Sequence, residues 1–165
     1  MFDLINGLPV HVLVVHGVVV LTPLAALGAI LIAVKPAWRS TYGPLLTAIS
    51  LVATILAPIA ASSGEELEKR VGDPGTHAEI GGLLIWFLIP LTLLIAALTY
   101  AARRPDSGAG QRLTGGTGKA LAAVTLVVAI ATTGFVVWIG DTGARAAWEG
   151  KIQSTSSSGS QSSGG

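Results

Sequence analysis

The sequence predicts an all-α integral membrane protein: a four-helix bundle with both termini on the outer side and a disordered Ser/Gly-rich tail. Three observations carry that reading. Of the 165 residues, 51% are hydrophobic and only 12% charged, whereas a soluble domain carries about 25% charge because its surface must stay wet. Apolar runs free of Asp, Glu, Lys and Arg recur along the chain, each near the ~20 residues needed to cross a hydrocarbon core ~30 Å thick. The runs are continuous rather than alternating with period two, which selects helices over a β-barrel.

The first run extends from about Val10 to Val34, with only His11, His16 and Thr22 breaking its apolar side chains. Residues 1–8 contain Asp3 but no Lys or Arg, so they lack the basic start of a signal peptide, and the run is expected to be a retained first helix. The second run spans about Pro44–Ala61, the third Ile80–Ala102 and the fourth Ala120–Gly140. Pro23, Pro58 and Pro90 fall inside these runs, where each removes a backbone donor and is read as a packing kink. Gly17, Gly28, Gly81, Gly82 and many Ala allow close approach of neighbouring helices. Residues 1–150 are expected to form the transmembrane domain. Residues 151–165 form the tail, which from Gln153 onward holds only Ser, Gly, Gln and one Thr and cannot bury enough apolar area to order.

The connecting segments predict orientation. Lys35 and Arg39 lie in the first loop; Arg103, Arg104, Arg112 and Lys119 lie in the third. The opposite side has Lys69, Arg70, Arg145 and Lys151, diluted by seven acids from Glu65 to Glu149. The positive-inside rule then places the two basic loops in the cytoplasm of a bacterial plasma membrane and both termini outside. Trp38, Tyr42 and Tyr100 mark the inner interface, while Trp138 and Trp148 flank the outer end of the fourth helix. Trp86 lies about two turns inside the third helix, where it serves either core packing or the wall of a cofactor pocket.

Charge and cysteine content exclude several classes of function. With 10 basic against 9 acidic residues, nothing marks a nucleic-acid partner, and the absence of Cys removes disulfides, thiolate metal sites and cysteine nucleophiles. Gly115-Gly116-Thr117-Gly118-Lys119 superficially resembles a phosphate-binding loop. It has Leu113 where that motif needs Gly and Ala120 where it needs Ser or Thr. No nucleophile elbow or His-Glu-x-x-His helix occurs either, so no hydrolase signature is present.

The residues able to carry chemistry gather on the outer side. His11 and His16 lie in the first helix, Glu65, Glu66 and Glu68 follow the second, His77 and Glu79 open the third, and Asp141 closes the fourth. His16 sits roughly 9 Å inward from Val10, where an ionisable group is costly and is expected to face the bundle interior. His11 and His16 are about 140° apart around the helix, so they do not form an i, i+4 metal pair. Imidazole ligates haem iron and many metals. The candidate cofactor ligands are therefore His11, His16 and His77 for haem, or His11, His77, Glu79 and Asp141 for a metal ion. The competing expectation is that each His is hydrogen-bonded structurally. Ser62 or Ser63 is expected to cap a short helix beginning at the Glu-rich segment. Asp141, Arg145 and Glu149 are expected to form an i, i+4 ladder on a separate interfacial helix.

Asn6-Gly7-Leu8-Pro9-Val10-His11 with Val14-Val15-His16 resembles the opening of bacterial membrane proteins classed as domain of unknown function 2231, which begin with Leu-Pro-x-His-x-x-x-x-His. Further similarity lies in Ser63-Gly64, in His77-Ala78-Glu79-Ile80-Gly81, and in Gly140-Asp141-Thr142-Gly143-Ala144 followed by Ala147-Trp148. The resemblance covers about residues 5–150 and implies a four-helix membrane protein with no established activity, in a family sometimes associated with redox domains. It also implies that His is common at the place of Asp141, a departure that here favours a hard metal or no cofactor over haem. The expected function is that of a small accessory or structural subunit of a membrane complex. The alternative is a membrane redox protein holding haem or a metal near the outer leaflet. Expected partners are the lipid bilayer, other membrane subunits or a second copy, with no nucleic acid.

Overall fold

The computed structural model of the chain describes residues 4–5, 8–71, 80–112 and 115–160. A two-residue antiparallel pairing of Leu4–Ile5 with Leu8–Pro9 precedes the first helix. The helices are α1 (Val10–Val34), α2 (Arg39–Val71), α3 (Ile85–Arg103), the short α4 (Gly108–Arg112) and α5 (Gly115–Ser160). A 3-10 turn at Pro36–Trp38 joins α1 to α2. Among the described residues, four segments are long and apolar enough to cross a membrane: Leu13–Val34, Pro36–Glu65, Ile80–Arg103 and Gly115–Arg145.

The helix α1 coincides with the run Val10–Val34, and the later helices depart from their runs. α2 begins before Pro44 and runs ten residues past Ala61, so Ser62 and Ser63 are interior residues rather than caps. Their hydroxyls donate back to the carbonyls of Pro58 and Ala60, at 2.7 and 3.1 Å. Extending a formed helix adds a hydrogen bond per residue with no nucleation penalty, so a polar stretch can continue it. The same continuation joins the expected interfacial helix to α5, which carries on to Ser160 and into the segment whose composition suggested disorder. The third span starts at Ile80 but steps at Leu83–Leu84, where bonds such as Leu83 N–H to Ile80 O (3.0 Å) and Phe87 N–H to Leu84 O (3.1 Å) close tighter turns. Gly81 and Gly82 beside the step are weak helix formers. The chain stays helical through Pro23, Pro44, Pro58 and Pro90.

The spans pack in the cyclic order α1, α2, α3, α5, each antiparallel to its neighbours. The register is readable where backbones come close: Gly17 faces Leu56, Gly28 faces Leu46, and Gly43 faces Thr99. Inward positions repeat at alternating three- and four-residue steps. On the third span they are Leu84, Leu88, Leu91, Ile95 and Leu98; on α2, Ser50, Ala53, Ala57 and Ala60; on α1, Val18, Thr22, Ala25, Ala29 and Ile32; on α5, Thr125, Ala129 and Thr132. This is the seam spacing of left-handed helix packing. Its distribution of size is uneven. α3 supplies the large knobs, and Ala, Ser and Thr on the other helices supply shallow grooves that let the backbones close in.

Two core clusters result, one around Ala25, Ala29, Ile32, Leu91, Ile95, Leu98 and Ala129, the other around Val18, Ala53, Ala57, Ala60, Leu84 and Leu88. The large hydrophobic side chains of the other faces point outward, among them Leu24, Leu27, Leu31, Ile55, Leu93, Val127 and Ile130. A soluble monomer does not sustain an apolar girdle of that extent, whereas lipid covers it at no cost. Trp86 belongs to this girdle at 69% exposure, so it is neither core nor pocket wall. Aromatics pair near both ends of the bundle: Trp38 meets Tyr42 edge-on at 5.7 Å with Lys35 Nζ 4.5 Å above the Trp38 ring, and Trp138 meets Phe135, which stacks on Phe87.

Candidate functional site

At the end of the bundle where α1 begins, His11 of α1 leans onto α2. Its Nδ1 lies 3.0 Å from the Ala60 carbonyl and 3.2 Å from Ser63 Oγ. Because Ser63 Oγ also points at Ala60 O, a proton on His11 Nδ1 donated to that carbonyl is the arrangement a neutral imidazole satisfies best. That tautomer leaves Nε2 as the unprotonated nitrogen, and a backbone carbonyl on Nδ1–H is the usual support of a ligating histidine. Gly64 makes the approach possible: a Cβ there would stand 3.0 Å from the His11 ring carbon Cε1, closer than neighbours normally tolerate.

The other expected site residues are placed differently. His16 lies on the exposed face of α1, away from the His11 contact. Asp141 is exposed and accepts a 2.9 Å bond from Arg145 Nε, so the i, i+4 pair forms, but on α5 itself rather than on a separate helix. His77 and Glu79 lie outside the described residues, as do the side chains of Glu66, Glu68 and Glu149. Among the described residues no group of three His, Asp or Glu side chains can hold a metal ion.

Two polar arrangements had no counterpart in the sequence reading. The first is a layer of hydroxyls in the middle of the bundle. Thr92 Oγ1 on α3 lies 2.6 Å from Ser50 Oγ and 2.9 Å from Thr54 Oγ1 on α2, while Thr54 donates to Ser50 O at 2.8 Å. One assignment uses every proton: Ser50 donates to Thr92, Thr92 to Thr54, and Thr54 to the backbone. Thr22 of α1 stands at the same height, since the Gly17–Leu56 and Gly28–Leu46 approaches bracket it opposite Ser50–Thr54. Thr22 is fully buried and its Oγ1 has no partner, whereas Thr99, Thr125, Thr132 and Thr133 all donate to the carbonyl four residues back. The buried polar side chains of the described residues are all hydroxyls; no ionisable group is buried among them.

The second is Arg39 at the opposite end. Its Nε donates to Ile32 O at 2.8 Å and its Nη2 to Ala33 O at 3.1 Å. It thus satisfies carbonyls that the end of α1 leaves open. A lone Arg in a loop reads as a topology charge; its role as a helix cap depends on the turn at Pro36–Trp38, which folds the chain back.

An up-and-down bundle with an apolar exterior, a small-residue interior and hydroxyls as its only described buried polar side chains defines an integral membrane protein of four spans. The chain belongs to the family described as Predicted membrane protein (DUF2231), whose model matches residues 7–156. No curated protein and no solved structure matches the chain.

Proposed function

We propose that this protein is an accessory or structural subunit of a bacterial plasma-membrane complex, with both termini on the outer face. The observation that supports it most is the interior: every described buried polar side chain is a hydroxyl, and all but Thr22 are bonded within the bundle. The described interior thus holds no buried charge, which suits a scaffold. The orientation rests on the basic loops that hold Lys35, Arg39, Arg103, Arg104, Arg112 and Lys119. Because the chain has no Cys, single cysteines report topology cleanly. Ser163→Cys should react with a membrane-impermeant maleimide in intact cells, and Ser107→Cys only after permeabilisation. The reverse pattern overturns the orientation, and a tagged protein that elutes as a lone monomer in mild detergent after chemical crosslinking in cells overturns the subunit role.

The His11 geometry favours one second reading, a haem or metal site near the outer leaflet. His11 Nε2 is the candidate ligand atom, with His16, His77, Glu79 and Asp141 as candidates to complete the set. Detergent-purified protein from iron- and zinc-replete cells should then show a Soret band or a stoichiometric metal. Either signal should fall in His11→Ala and in Gly64→Ala, which displaces the imidazole while keeping it. A colourless preparation with less than a tenth of an equivalent of metal ends this reading.

A further inference from the structure

At the end of the bundle opposite His11, the C-terminal turns of α1 and α3 and the first turns of α5 stand around a cleft of about 510 Å³. Its size falls within the range of small-molecule sites, ~300–1,000 Å³. Two side chains on its wall are ionisable, Arg39 and Lys119, and both are cations; no carboxylate lines it. The remainder is small: Ala102, Gly118 and Ala122 are typical of a wall on which no side chain is long enough to fill the space. Asp106, the one acid of the connecting loop, is not on the wall.

Arg39 is held in place by its bonds to the ends of α1, which engage Nε and one Nη2 hydrogen. Three of its five N–H donors are not used by those bonds, and a guanidinium with a fixed plane is suited to a phosphate oxygen pair. The α5 amides add to this. Gly115 has φ +62°, a conformation that Gly adopts without strain, and the first N–H groups of a helix have no carbonyl partner within it. The cleft lies where the spans end at Val34 and Arg103 and begin at Pro36 and Gly115, which is headgroup height in a bilayer. Arg103 and Arg104 on the same end add a positive field that draws anionic lipid.

We propose that this cleft binds the phosphodiester of an anionic phospholipid headgroup, held between Arg39 and Lys119, with the alanine-lined wall against the glycerol and upper acyl chain. The site is separate from His11 and does not depend on which side of the membrane it faces. Native mass spectrometry of the full chain, released from a neutral detergent, tests it with three probes: phosphatidylglycerol, phosphatidylcholine and inorganic phosphate. Phosphatidylglycerol should be retained as a single adduct and phosphatidylcholine should not. Lys119→Glu should weaken phosphatidylglycerol retention about tenfold or more, the scale of one charge-assisted hydrogen bond. Lys35→Gln, which removes a nearby cation off the cleft wall, should leave it within about twofold. Equal retention of the two lipids, equal loss in Lys35→Gln and Lys119→Glu, or retention of inorganic phosphate with no lipid adduct overturns the proposal. Arg39→Gln is the second variant. It should also lose the lipid, and its melting in lipid-free detergent separates that loss from the loss of the α1 cap.

Discussion

Thr92 and Thr22 are chemically the same side chain in nearly the same layer, yet they hold opposite positions in the energetics of the bundle. Thr92 joins α2 to α3 through Ser50 and Thr54, and interhelical hydrogen bonds in membranes contribute about 0.6–1.7 kcal/mol each. Thr92→Val should therefore lower unfolding stability in detergent by about 1–2 kcal/mol, since Ser50 also loses its acceptor. Thr22 carries a buried hydroxyl with nothing to bond, a group whose desolvation costs about 1–3 kcal/mol. Thr22→Val, nearly the same in volume, should leave stability unchanged or raise it by up to about 1 kcal/mol. Titration with a denaturing detergent, followed by tryptophan fluorescence, measures both; a loss in Thr22→Val matching that in Thr92→Val removes the distinction. At this scale the sequence was only partly legible. It drew attention to His11, Ser63 and Gly64 separately, and the fold brings the three together. It expected His16 to face the interior, whereas the fold sets His11 against α2 and His16 on the exposed face, because the choice depends on which side of α1 receives α2.

At the scale of single helices, the spans were legible from hydropathy, but the seam between them was not. In a soluble helix the buried face is the apolar one, so periodicity reveals it. Here the lipid-facing side is at least as apolar as the core, and the contrast that remains is size. On α2 the inward stripe is Ser50, Ala53, Ala57 and Ala60 while Leu45, Leu51, Ile55 and Ile59 face out; on α3 large residues take both faces, Leu88, Leu91, Ile95 and Leu98 inward and Trp86, Ile89 and Leu93 outward. The size contrast present on α2 is absent on its neighbour α3, so no single rule applied to one helix finds the seam. Gly43 is the point at which the two patterns meet most closely, since a Cβ there would overlap the Thr99 hydroxyl and stand 2.8 Å from its Cγ2. Thr99 is β-branched and bonded to Ile95 O, so it has little room to turn. Gly43→Val should destabilise the bundle by about 1–3 kcal/mol, the usual cost of forced overpacking. Gly81→Ala, where a Cβ meets nothing, should be neutral or better.

For the whole molecule, membrane residence and four spans followed from composition and run length, because both express the solvent rather than the packing. Helix ends followed less well. The hydrocarbon limits where apolar residues must be, not where the backbone must stop being helical, so α2 and α5 outrun their apolar runs. The proposed orientation rests on charge alone, which makes it reversible. Replacing Arg103, Arg104 and Arg112 by Gln, with Lys introduced after Asp141, should give a mixed population in which Ser163→Cys is labelled in only part of the intact cells. Uniform labelling after that change shows that the orientation has another determinant.

The link from Arg39 to the carbonyls of Ile32 and Ala33 spans only seven and six positions. A closure that short carries little entropic cost, so it can form as soon as Arg39 emerges from the ribosome, while most of α2 is still unmade. The bend of the first hairpin can thus be fastened before its second limb exists. During biogenesis the pair can leave the insertion machinery as one piece, hinged at its charged end, and present a finished groove of small residues to the later spans.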